Sequence, residues 1–213
     1  KGQISLGGSI STSGNQSYTT TNAWLTIGGA MTSSAGNIAI SSGSFTVGQS
    51  INAGNALSFT STGTITLSSD ITTVAGDLVF SVGTNSILIG GSGTDGSPNT
   101  VTITSGGAIT TSASIISNSE NARDLVISAN NDITFQNNSG LSGTDNFSAI
   151  SITSTLGGLT TEAISAVGNI TVSTKGAIQI GGGGVSNFVD ASIIRLSSSH
   201  AGVSVSGAIV GAP

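Results

Sequence analysis

Cysteine is absent from these 213 residues, which excludes disulfide staples, thiol nucleophiles and thiolate metal ligands. Basic residues are almost absent too: Lys1, Arg123, Lys175 and Arg195 are the whole complement. Four cations cannot neutralise a row of phosphates, so neither a nucleic acid nor an anionic membrane surface is an expected partner. A formal charge of −5 and a pI near 4.3 point the same way. No apolar run approaches the roughly 18 residues of a membrane-spanning helix, and no signal-peptide pattern is visible. Charged residues make up 6% of the chain and aromatics 4%. Such scarcity suits disorder only where hydrophobicity is also low. Here the mean hydropathy is +0.32, and the apolar residues are β-branched and regularly placed. An ordered chain is expected.

What the sequence does contain is a beat. Apolar pairs two residues apart return about every 20 to 25 residues: Ile4/Leu6, Leu25/Ile27, Phe45/Val47, Ile65/Leu67, Ile87/Ile89, Ile109/Thr111, Ile133/Phe135, Leu159/Thr161, Ile178/Ile180 and Val203/Val205. Each pair is one inward face of a short strand. A second column runs from Ile38/Ile40 through Leu57/Phe59, Leu78/Phe80, Val101/Ile103, Leu125/Ile127, Ile150/Ile152 and Ile170/Val172 to Ile194/Leu196. A third holds single residues: Ile10, Met31, Ile51, Ile71, Ile115, Val185 and Ile209. Three columns on one beat predict a three-sided, all-β coil spanning 1–213 as a single β-solenoid domain of about ten turns. Stacked at about 4.8 Å per coil, the rod would be roughly 45–50 Å long. A β-sandwich also uses short strands with frequent turns, but it has no reason to repeat three columns together. Corners fall to Gly, Asn and Ser. The Gly-Gly corners at Gly7-Gly8, Gly28-Gly29, Gly90-Gly91 and Gly181-Gly182 are expected to exploit the positive φ open to glycine.

The phrases Gly36-Asn-Ile-Ala-Ile40, Gly63-Thr-Ile-Thr-Leu67, Gly168-Asn-Ile-Thr-Val172 and Gly176-Ala-Ile-Gln-Ile180 resemble the repeats of filamentous-haemagglutinin-type bacterial surface proteins. More loosely, they resemble autotransporter passenger domains. The likeness runs along nearly the whole chain, although that family's amino-terminal secretion cap is not recognisable. The resemblance implies a right-handed parallel β-helix, secreted and surface-attached, serving as a stalk or in adhesion. It carries over no catalytic residue.

Few residues suggest chemistry. Thr26, Thr46, Thr66, Thr110, Thr134 and Thr160 lie between the members of the first-column pairs, which predicts an outward threonine ladder along one face. Threonine arrays of this kind serve some ice-binding solenoids, but the neighbouring rank (Trp24, Ser44, Thr64, Ala108, Asp132) is broken. Threonine is also simply a good strand former. Gly90-Gly-Ser-Gly-Thr-Asp-Gly96 opens like a calcium nonapeptide but does not recur in tandem. Ser142-Gly-Thr-Asp145 echoes it, so Asp95 and Asp145 are read as turn residues with a possible contact role. A glycan hydrolase or lyase needs carboxylates clustered at working distance. Only Glu120, Arg123, Asp124 and Asp132 lie near one another in sequence, and Asp124 and Asp132 should point outward. His200 sits in a Ser-rich loop without a visible partner. No catalytic residue, metal site or cofactor is expected. Trp24 and Tyr18 are candidates for a surface contact, with alternation placing Trp24 outside.

The chain starts with Lys, and neither end carries an obvious polar cap. The expectation is therefore a processed or excised piece whose coils continue into more chain or stack head to tail on a second copy. Taken together, the sequence predicts a non-enzymatic part of an extracellular bacterial fibre or stalk. An adhesin module binding glycan or a host surface is the alternative. A polysaccharide-active enzyme and an ice-binding protein trail behind.

Overall fold

A computed structural model describes residues 3–21, 23–83, 86–89, 100–117, 124–137, 139–141, 147–187 and 193–210. Every regular element among them is a β-strand, and every strand pairing is parallel. The strands are short because inward and outward residues must alternate and a corner follows within a few steps. In Ile38–Ser42, for example, Ile38, Ile40 and Ser42 are buried, while Ala39 and Ser41 face out. A strand so short cannot close its own hydrogen bonds, so away from the two ends strands are paired above and below by their counterparts in adjacent coils. The result is the expected three-faced β-solenoid.

The second face is the most regular. It stacks nine strands, from Ile10–Thr12 at one end to Ile194–Ser198 at the other. Ile10, Met31, Ile51, Ile71, Ile103, Ile127, Ile152, Val172 and Leu196 stand in register along its inner side. The third face aligns Gln16, Ile38, Leu57, Leu78, Ile109, Ile133, Leu159, Ile178 and Val203. The first face aligns Ile4, Leu25, Phe45, Ile65, Ile87 and Ile115, then continues through Leu141, Ile164, Val185 and Ile209.

These registers correct the columns drawn from the sequence. The first-column pairs occupy the first face only as far as Ile87/Ile89, and from Ile109/Thr111 onward they lie on the third. The second column likewise moves from the third face to the second, and the single-residue column moves from the second to the first. The cause is extra chain between Ile89 and Thr100. Adjacent coils are 19 residues apart at Asn37 and Ala56 but 32 apart at Thr73 and Ser105. Residues added at a corner lengthen the period without changing the order of faces, so a constant-period count slips by one face.

The core is one continuous column of Ile, Leu, Val and Phe. Near one end it contains an aromatic stack: Phe59 lies between Phe45, with ring centroids 5.3 Å apart, and Phe80, at 5.0 Å. Where a strand enters a corner, its last inward residue is often a buried hydroxyl. Ser33, Thr73, Ser105, Ser154 and Thr174 mark the second-to-third corner, and Ser42, Ser61, Thr111 and Thr161 mark the third-to-first corner. Each donates to a turn carbonyl: Ser105 to the Gly76 and Ala108 carbonyls, both at 3.0 Å, and Thr111 to the Ala113 carbonyl at 2.9 Å.

Glycine acts at these corners by closeness rather than by handedness. Among the described residues only Gly184 (φ 67°) and Asn137 (φ 57°) have positive φ. The described pairs Gly7-Gly8, Gly28-Gly29 and Gly181-Gly182 do not, contrary to expectation. At Gly29 a Cβ would collide with the backbone of Gly8 in the coil below. Stacked corners approach too closely for a side chain, and that is what selects glycine there.

Candidate functional site

The threonines expected to form one ladder form two. Thr26, Thr46 and Thr66 align on the first face, where the rank begins at Ser5 and passes on to Leu88 and Ile116. Thr110, Thr134 and Thr160 align on the third face, between Val79 and the rungs Gln179 and Ser204. The slip of face breaks the ladder and removes the support an unbroken array would lend to ice binding. A longer hydroxyl and amide rank, unnoticed in the sequence, runs outside the second face: Ser11, Thr32, Asn52, Thr72, Thr104, Ser128, Thr153, Ser173 and Ser197. The residue following each inward apolar of that face was the signal that could have found it.

Trp24 projects outward as alternation requires and is 54% exposed, flanked by Gln3 and Ser44 in adjacent coils. Tyr18 does not join it. Its ring packs against the core from the third face, and its hydroxyl donates to Gln16 Oε1 at 3.1 Å. The buried Gln16 amide in turn donates to Thr12 Oγ1 at 3.0 Å and to the Thr32 carbonyl at 2.7 Å. Tyr18 thus contributes to the packing of the first coil while staying half-buried. Asp95 and Asp145 lie outside the described residues, as do Glu120 and Arg123. The connections that carry them, at 90–99, 118–123 and 142–146, all lead from the first face to the second.

Four of the described carboxylates hold coils together. Asp70 accepts the Thr102 N–H at 2.8 Å, Asp77 the Ala108 N–H at 2.8 Å, Asp132 the Gly158 N–H at 2.7 Å and Glu162 the Gly183 N–H at 3.1 Å. In every case the donor lies in the next coil. Asn side chains do the same: Asn15 Oδ1 accepts from the Asn37 N–H at 2.9 Å, and Asn169 Oδ1 from the Ile193 N–H at 2.8 Å. A side chain reaching one coil onward closes a corner N–H that the strand ladder has already left behind. Asp124 sits outward beside Thr100 and Ala149, half-buried. His200 is exposed, its Nδ1 2.8 Å from the Ser199 hydroxyl.

The surface is concave where the third face runs through its later coils. One hollow, of about 400 Å³, is lined by Asn137, Thr160, Glu162, Gln179, Ser204 and Ser206 over a floor of Phe135, Thr161, Ile180 and Gly181. A second, of about 300 Å³, is lined by Asp132, Thr134, Leu156, Thr160 and Gln179 with the small residues Gly157, Gly158, Gly176 and Ala177. The two share Thr160 and Gln179 and so flank the hydroxyl rank on either side. Glu162 lies four residues beyond Gly158, the neighbour of Asp132, so the two carboxylates rise from backbone on the order of 13 Å apart. Each is tied to a backbone N–H at its own corner, Asp132 to Gly158 and Glu162 to Gly183. Among the described residues no group of three or more His, Asp or Glu is placed to hold a metal ion.

No family model matches this chain, and no curated protein or solved structure matches it either.

Proposed function

We propose that this chain is a structural segment of an extracellular bacterial fibre or stalk, of the filamentous-haemagglutinin kind its repeats resemble. The observation that carries the reading is how the polar side chains are used. Corner hydroxyls, amides and carboxylates bond one coil to its own turn or to the next coil, as in Asp77 to Ala108 and Ser105 to Gly76. Such an arrangement favours a long, stiff, unreactive rod over a catalytic cleft.

The end coils support continuation of the rod. Ile4, Val203 and Ile209 belong to inward columns yet are 44%, 45% and 58% exposed. The edges beside them are parallel strands open to pairing. In our reading a neighbouring coil covers them, from more of the same chain or from a second copy stacked head to tail. Electron microscopy of the secreted native material at near-physiological concentration tests this. Unbranched filaments with an axial repeat near ten strand spacings, about 48 Å, are the expected result. Isolated short rods alone would rule out stacking of copies and favour the second reading, an adhesin module. The observation behind that alternative is the exposed Trp24, a side-chain type that anchors contacts with sugars and proteins alike.

A further inference from the structure

We propose that the later coils of the third face form a binding trench for a linear, uncharged oligosaccharide lying along the rod axis. The trench is the pair of hollows on either side of Thr134, Thr160, Gln179 and Ser204. These four residues are consecutive rungs in register, about 4.8 Å apart. A pyranose unit is about as long as that step, so a chain of sugars meets one rung per unit.

The lining chemistry selects the ligand. Hydroxyls and carboxamides both donate and accept, matching the dual character of a sugar hydroxyl. Asp132 and Glu162 border the trench on its two sides, each using one oxygen for a backbone N–H, which leaves acceptor capacity for hydroxyl donors. No lysine or arginine lines either hollow among the described residues, so a polyanion finds repulsion and no counter-charge. The walls are also preformed. Glycine at 157, 158, 176 and 181 keeps the corners free of side chains, and a Cβ on Gly181 would collide with the Glu162 carboxylate. The strands that carry Thr134, Thr160 and Gln179 are paired on both edges, so a peptide cannot enter there by strand addition. Phe135 in the floor is only 4% exposed, too covered to stack on a sugar ring, so affinity rests on hydrogen bonds and is expected to be weak.

The test is calorimetric and NMR titration of the full chain with gluco- (β-1,4 and α-1,4), xylo- and manno-oligosaccharides of two to six units, with polygalacturonate as the polyanion. At least one neutral series should bind, with affinity rising up to about four units, one per rung, and then levelling. Gln179→Ala and Thr160→Val, both at exposed positions, should each weaken binding about five-fold, the equivalent of one hydrogen bond of about 1 kcal/mol. Circular dichroism should show both variants folded, and Ser173→Ala, outward on the second face, should bind as the parent does. The proposal is overturned if no neutral series binds at millimolar concentration or if polygalacturonate binds more tightly than all of them. Binding indifferent to both trench substitutions overturns it equally. None of these outcomes bears on filament formation, which microscopy scores separately.

Discussion

Phe59→Ala should lose about 3–5 kcal/mol of stability, as large aromatic truncations in a closed core do. Phe59 is fully buried and has a ring on either side, Phe45 at 5.3 Å and Phe80 at 5.0 Å. Each such pair adds about 0.5–1.5 kcal/mol beyond burial alone, and the substitution removes both while leaving a cavity. A solenoid transmits this loss unevenly, because each coil is stabilised mainly by its neighbours. The coils on the amino-terminal side should therefore unfold at lower denaturant than the rest. Trp24, the only tryptophan, lies in those coils, so its fluorescence reports them separately from far-ultraviolet circular dichroism. In the parent the two transitions should nearly coincide, and in the variant the fluorescence transition should move further. Ser58→Ala, on the outward neighbour, should stay within about 0.5 kcal/mol. A Phe59→Ala loss below about 1 kcal/mol would contradict a continuous core.

Gly106→Val is the second large effect, expected at about 3 kcal/mol or more. A Cβ there would fall on the carbonyl of Val74 in the preceding coil. The same coils are joined at this point by the Gly106 N–H donating to the Thr73 carbonyl at 2.9 Å. Neither backbone can yield without parting the two. Gly106 does not have positive φ, so the cost comes from inter-coil contact and not from backbone handedness. Gly14 provides the contrast: it also lacks positive φ, and a Cβ there meets nothing within 4 Å. Gly14→Ala should be neutral or raise stability by about 0.4–1 kcal/mol through the unfolded chain. Urea denaturation of both variants separates the explanations, since similar effects at the two sites would remove the close-approach account.

Much of this fold was legible because inward pairs such as Ile38/Ile40 and Ile170/Val172 declare a strand face without any knowledge of neighbours. Register is different in kind. It depends on which strand lies above which, and the chain between Ile89 and Thr100 adds residues at a corner without announcing that a face has been passed. The inward lean of Tyr18, in register with Ile40, was hidden for a local reason: its neighbours Ser17 and Thr19 are polar on both sides, so alternation offers no signal. The corner hydroxyls Ser105 and Thr174 were invisible because the same residue types cover the outside. The trench shows both sides of this limit. Thr134 and Thr160 stood out in the sequence, whereas Gln179, Glu162 and Asn137 join them only through the stacking of coils. Asp132 stood near Glu120, Arg123 and Asp124 in the sequence, and only the stacking of coils pairs its carboxylate with the Gly158 N–H.

The change of face between the fifth and later coils is the claim on which the split ladder and the trench both depend. The chain has no cysteine, so introduced pairs can be read without background. Leu88 and Ile116 are register partners on the first face, at the strand spacing of about 4.8 Å, within the Cα separation a disulfide spans. Thr110 lies on the third face beside Val79 and Thr134. Under mild oxidation the Leu88→Cys/Ile116→Cys monomer should lose both free thiols, while Leu88→Cys/Thr110→Cys keeps them. Closure of the second pair and not the first would restore a single unbroken ladder and contradict the account.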